Sequence, residues 1–307
     1  MLGVFLVWYS LYKVSLDQLL VYFKKADYSW ILLGMFLGFL SHMSRAYRWL
    51  FMLEPLGYKV KLGNSMMAVF ATYLINYTIP RAGEVARASI LANYEGVPFE
   101  KGFGTIVAER IADLLVMLFI IIATLFLQFD FIYGFFVQRF NPNKIILGLL
   151  VMTLAIIVFL RFIKRSNSRI ALKIKAFVNG LLEGVLSIFK MKKKWAFIFH
   201  TLFIWLMYVL MFYVTSFAVE DLGILSLGAV LIGFIAGSFS IAATNGGIGS
   251  YPIAVFAALS IFNVPEEPSI AFGWIMWASQ TLMIIIFGGL SLIYLPIYNR
   301  IRSLRGK

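Results

Sequence analysis

The stretch Asn76-Tyr77-Thr78-Ile79-Pro80-Arg81-Ala82-Gly83-Glu84-Val85-Ala86-Arg87 sets two arginines and a glutamate directly after a helix-ending proline. Pro80 suits the first turn of a new helix, where a missing N–H costs nothing. Arg81, Glu84 and Arg87 then recur at three-residue intervals, so Glu84 can pair with either arginine. One reading is purely structural: a carboxylate near a helix N-terminus is favoured by the dipole, and the arginines neutralise it. The other is chemical. A helix N-terminus with arginine beside it is an anion site, and phosphate is its natural ligand.

Two further groups carry chemistry. Glu109-Arg110 with Asp113 places two carboxylates at i, i+4 on one helix face, with Arg110 able to reach Asp113. Arg81, Glu84, Arg87, Glu109, Arg110 and Asp113 together hold three positive and three negative charges, a balance that low dielectric tolerates far better than lone ions. Two carboxylates alone, without a nucleophile or more oxygen ligands, are a weak case for acid–base catalysis or a divalent ion. The last group is Thr244-Asn245-Gly246-Gly247-Ile248-Gly249-Ser250-Tyr251-Pro252. Gly246, Gly247 and Gly249 permit left-handed backbone and close ligand approach, Asn245 offers hydrogen bonds, and Pro252 starts a returning helix. The stretch lacks the Gly-x-x-x-x-Gly-Lys of a nucleotide loop. With no cysteine and only His42 and His200, neither a metal nor a cofactor is expected. Arg48-Trp49 reads first as an interface anchor, and Gly288-Gly289 as helix packing.

The elements that must position these groups are membrane helices. The 307 residues are 62% hydrophobic and 13% charged, against about 45–50% and about 25% in soluble chains. The net charge of +13 is concentrated: ten of 27 Lys/Arg fall between Arg161 and Lys194. Basic residues gathered in short loops are the positive-inside signal rather than a nucleic-acid surface. Apolar runs at 1–12, 28–44, 102–129, 145–160, 195–219 and 268–299 are read as full spans, with the first short. Basic loops 45–61 and 161–194 and the tail are placed in the cytoplasm; the turns with Asp130, Glu220-Asp221 and Glu266-Glu267 lie outside. Side-counting then requires 62–101 to start and end inside, and the uncharged 222–265 to start and end outside. Each is broken in its middle, at Pro80 and Gly83 and at Gly246–Pro252, so each is expected to be a re-entrant hairpin. Interrupted apolar segments in corresponding places of two halves point to an inverted-topology repeat with a midplane binding site.

Taken in order, Arg48-Trp49, Pro80-Arg81-Ala82-Gly83-Glu84 with Arg87, Glu109-Arg110 with Asp113, and Gly246-Gly247-Ile248-Gly249 resemble the lysylphosphatidylglycerol synthase transmembrane region, also called the flippase-like domain family. The resemblance covers nearly the whole chain. It implies a membrane region that moves an aminoacylated phospholipid between leaflets, which in the large bifunctional members is made by a separate C-terminal cytoplasmic domain. This chain ends at Lys307, just past its last span, so the resemblance is to the transporter half and no synthase activity is expected. Many relatives place an acidic residue after the second glycine motif, where Ser250-Tyr251-Pro252 stands here.

The expectation is therefore an all-α polytopic protein of the inner cell membrane, one transmembrane domain over residues 1–307, with six spans, two re-entrant hairpins and cytoplasmic termini. It is expected to be a non-enzymatic translocase for a phospholipid or other anionic lipid, with membrane lipids and no nucleic acid as partners. Arg81, Arg87 and Arg110 would hold the phosphate. Glu84, Glu109 and Asp113 would balance them, and Asn245 with the Gly246, Gly247 and Gly249 backbone would close the site. The alternative is a membrane-embedded enzyme or accessory factor of lipid or envelope synthesis. Because the chain has no cysteine, single cysteines report sidedness cleanly. Cysteines at Ser166 and Ser303 should react only with a cytoplasmic impermeant maleimide and one at Asn263 only with an external one; the reverse pattern would overturn the side-counting.

Overall fold

The computed structural model describes residues 2–139, 142–166, 168–172, 175 and 191–305, and among them the regular structure is helical throughout. The helices are α1 (Leu2–Lys13), α2 (Leu16–Lys25), α3 (Tyr28–Leu53), α4 (Leu62–Thr78), α5 (Ala82–Glu95), α6 (Phe99–Leu127), α7 (Phe129–Arg139), α8 (Pro142–Arg165), α9 (Lys194–Ser216), α10 (Leu227–Ala243), α11 (Ser250–Ser260) and α12 (Glu266–Arg305). Three of them, α6, α9 and α12, are long and apolar enough to cross a membrane by length and composition. The chain divides into two compact units, residues 1–109 with 191–307, and residues 110–190, the division falling within α6.

The second unit contains the rest of α6, α7 and α8. Its outward Phe119, Ile122, Phe126, Leu150 and Leu154 are all exposed, as expected of side chains whose solvent is hydrocarbon. The larger unit is built on α3 and α9, which pack along each other's length. Close approach is set at Gly34, where a Cβ would stand 2.2 Å from Thr215 Oγ1, the small-residue contact that lets membrane helices meet backbone to backbone. Asp27 caps α3 by accepting the Ser29 N–H at 2.9 Å, and Ser226 caps α10 through Ala229 N–H at 3.2 Å. Helix α3 runs to Leu53 rather than ending near Ser44, so Arg45, Arg48 and Trp49 lie inside it and are buried. The interface-anchor reading of Arg48-Trp49 is thereby corrected: these side chains pack into the protein interior.

Helix α12 has 40 residues and is tied down at both ends. Near its start, Lys13 pairs with Glu266 at 3.0 Å and Gln18 donates to Glu267. Near its end, Asn299 and Asn64 exchange hydrogen bonds at 2.8 and 2.9 Å, while the buried Glu95 accepts from Asn64 and from Arg302, the latter at 2.8 Å. Between these ends α12 packs on α4 and α11. At Gly288 an added Cβ would stand 2.7 Å from the Leu74 Cβ and 3.0 Å from the Phe70 carbonyl, whereas at Gly289 it would meet nothing within 4 Å. The two neighbours therefore predict opposite outcomes. Gly288→Ala should lower the melting temperature by forcing α4 and α12 apart. Gly289→Ala should raise it slightly, by up to about 1 kcal/mol of recovered helix propensity. Equal effects in a detergent thermal-shift assay would count against this packing.

Candidate functional site

The first break is a turn. Helix α4 ends at Thr78, and Ala82 N–H donates to the Ile79 carbonyl at 3.1 Å, with Pro80 and Arg81 between them. Arg81 has φ 64° and ψ 4°. Proline followed by a positive-φ residue, closed by that bond, is the arrangement of a type II turn. Pro80 thus belongs to the turn, and α5 begins two residues later than expected, with Arg81 as its N-cap. A non-glycine residue in the left-handed region is held there at a cost. The surroundings over-determine it. Gly83 N–H donates to Asn76 Oδ1 at 2.8 Å, Asn76 Nδ2 donates to Glu84 Oε2 at 3.2 Å, and a Cβ on Gly83 would stand 2.1 Å from the Thr72 carbonyl. Asn76 therefore braces both the turn and Glu84. A lone amide at the end of an apolar run was its only sequence signal.

The second break spans 244–249. Gly246, Gly247 and Gly249 all have positive φ, at 67°, 78° and 70°, so the glycines supply the left-handed backbone expected of them. Ser250 is linked to Ser240 at 2.6 Å and to Thr244 at 2.8 Å, and Tyr251 N–H donates to the Gly247 carbonyl at 2.8 Å. Pro252 sits in the first turns of α11, against Gly273 of α12.

The two breaks touch. Asn245 Nδ2 donates to the Tyr77 carbonyl at 3.1 Å, and a Cβ on Gly246 would stand 2.7 Å from the Tyr77 ring. From α12, Trp277 Nε1 donates to the Gly246 carbonyl at 2.8 Å and Thr281 donates to the Tyr77 hydroxyl at 3.2 Å. These bonds satisfy polar groups of the two irregular segments from within the protein. Trp277 and Thr281 carried no sequence signal, being part of an ordinary apolar run.

Of the six charges expected at the site, Glu109 and Arg87 meet directly, together with two arginines from outside that set. Glu109 is fully buried and gathers three guanidinium groups: Arg45 at 2.7 Å, Arg48 at 3.4 Å, and Arg87 through paired bonds of 3.2 and 3.1 Å. Arg87 also lies over the Trp49 ring, 3.8 Å from its centroid, and Trp49 Nε1 donates to Thr105 at 2.8 Å. Arg48 donates to Thr201 of α9 at 2.8 Å. Arg45 and Arg48 were not foreseen as partners, because they lie some sixty residues from Glu109. Arg110 and Asp113, in the second unit, form an i, i+3 pair at 3.8 Å, with Arg110 half-exposed. Arg81 is exposed and has no ion pair or hydrogen bond among the described residues. Among the described residues no group of three His, Cys, Asp or Glu could hold a metal ion.

The model of one protein family, described as the lysylphosphatidylglycerol synthase transmembrane region, matches residues 1–288. A UPF0104 membrane protein of Methanocaldococcus jannaschii is 26% identical over 291 residues, covering 84% of this chain and 82% of its own. No solved structure matches.

The division between Arg87 and Arg81 is testable by stability alone. Glu109→Gln removes the charge on which three buried arginines converge and should cost roughly 3–5 kcal/mol. Arg81→Gln, at an exposed and unpartnered side chain, should shift the melting temperature little. A larger loss at Arg81 than at Glu109 would reverse the assignment.

Proposed function

The chain belongs to the lysylphosphatidylglycerol synthase transmembrane family of membrane proteins, and from that premise we propose that it moves an anionic lipid between the leaflets of the inner cell membrane. The lipid phosphate is held at the first break, by Arg81 and the N-terminus of α5. The single observation that carries this is Arg81 itself: an exposed guanidinium without a partner among the described residues, on backbone held in the left-handed region, at the positive end of a helix. Strain of this kind is retained where a side chain must be aimed, and the helix dipole and the arginine attract the same ligand. Arg87 stays part of the scaffold that holds α5, through Glu109 and Trp49. Asn245 and the glycine turn border the site from the second break. On this reading no bond is made or broken, and transport is the activity.

The same reading places α1, α3, α6, α8, α9 and α12 across the membrane with both termini in the cytoplasm. It treats α4–α5 and α10–α11 as hairpins that enter and return. Helices α5, α10 and α11 have 14, 17 and 11 residues, about 16–26 Å at 1.5 Å per residue, short of a hydrocarbon core of about 30 Å. Hairpins entering from opposite faces meet inside the bilayer, and the bond from Asn245 to the Tyr77 carbonyl supports that geometry.

Arg81→Gly tests the proposal with two readouts of opposite sign. Glycine adopts φ 64° without strain, so the melting temperature should hold or rise, by about 1 kcal/mol. The phosphate contact is lost, so translocation of fluorescent phosphatidylglycerol in proteoliposomes should fall at least tenfold. Arg81→Lys, a point charge in place of a planar fork, should retain part of the rate. Full transport by Arg81→Gly would rule the site out.

A further inference from the structure

His42 of α3 is 95% buried, at 5% exposure, and its Nδ1 has no hydrogen-bond partner. Its ring is enclosed by Tyr73 at 4.3 Å, Phe70 at 5.6 Å and Tyr208 at 6.1 Å between centroids. Trp205 of α9 lies against Tyr208, at 6.1 Å between centroids, and its Nε1 is likewise buried without a hydrogen-bond partner among the described residues. Two unmet nitrogens on rings that both contact one tyrosine call for a reason, because interiors satisfy buried polar groups almost without exception. Tyr73, Tyr208 and Trp205 are each only half-buried, so the cluster reaches the surface of the larger unit. The place also has a definite relation to the first break. Tyr73 and Tyr77 lie one turn apart on the same face of α4, about 6 Å along its axis, and Tyr77 is the residue on which the two breaks meet.

We propose that His42 and Trp205 are the hydrogen-bonding groups of a second subsite, each taking an uncharged oxygen of the lipid whose phosphate lies at the Arg81 turn. The proposal rests on that phosphate reading and extends it along α4. An indole N–H only donates, so its ligand must accept; a ring nitrogen of neutral histidine can donate or accept according to tautomer. Neither group carries a fixed charge, and the aromatic faces around them suit the glycerol region of a lipid better than a second phosphate. The oxygens bound are ester carbonyls or headgroup hydroxyls, each within a few bonds of the phosphorus. Both nitrogens lose their hydration on folding and recover a partner only when the lipid is bound.

That last point gives the test its sign. His42→Phe and Trp205→Phe keep an aromatic ring and delete only the orphan group, so without lipid the melting temperature in detergent should hold or rise. Dissociation constants would be measured by native mass spectrometry for three probes: diacyl phosphatidylglycerol, its dialkyl ether analogue, and diacyl phosphatidic acid. Each variant should weaken diacyl phosphatidylglycerol about three- to tenfold, the loss of one hydrogen bond. A smaller effect on the ether analogue identifies the ester carbonyl; a smaller effect on phosphatidic acid identifies the headgroup hydroxyl. Unchanged affinity, an equal loss on all three lipids, or a lower melting temperature without lipid would each overturn the subsite. Arg81→Gln, measured alongside, should weaken all three lipids alike. If it does so while the two aromatic variants bind as the parent, only the subsite fails; if the parent binds none of the three, the phosphate reading fails and the subsite with it.

Discussion

The interior of the larger unit is organised by one carboxylate. Glu109 has no contact with solvent, and an ionised carboxylate in so apolar a setting survives only if cations and hydrogen bonds replace its water. Arg45, Arg48 and Arg87 do so, drawing α3 and α5 onto the first turns of α6. The consequences spread outward. Arg87 must lie flat on Trp49 to present both of its nitrogens, Trp49 must then face Thr105, and Arg48 reaches Thr201 to join α9. A network of this kind does not add stability over a well-packed apolar core, but losing any one member strands the others. It therefore fixes the relative placement of these helices with little tolerance for alternatives.

That rigidity bears on function through α5. The helix is held from its middle by Arg87, while its N-terminus follows a strained turn whose shape depends on Asn76 and Gly83. Arginine thus has two roles within seven residues. Arg87 is buried against a carboxylate and a tryptophan and acts as scaffold; Arg81 is presented outward with no ion pair or hydrogen bond among the described residues. The second break meets the first through backbone carbonyls, not through charges: Asn245 and Trp277 each donate to one. Bonds from a side chain to a backbone carbonyl satisfy an irregular segment whatever side chain that carbonyl's residue carries. After the glycine motif, Ser250 turns back to Ser240 and Thr244.

Much was decided by sequence alone. Hydropathy and the near absence of charge over long runs required a helical membrane protein, because only internally bonded backbone survives in hydrocarbon. The breaks at 79–81 and 244–249 followed from Pro80 and from three closely spaced glycines, whose backbone chemistry is local. The family resemblance rested on the same residues, and the match over 1–288 upholds it. Tertiary structure decided which charges belong together. Periodicity shows that two residues share a helix face, but not which neighbour that face meets. Six charges close in sequence consequently looked like one balanced group, whereas Glu109 pairs with Arg45 and Arg48 from a helix far away in the chain. For the same reason Arg48-Trp49 resembled an interface anchor until the packing of α3 placed both residues inside, and His42 and Trp205 gave no sign of lacking partners. A residue's type sets what it can bond; only the approach of other helices settles whether that bond is made.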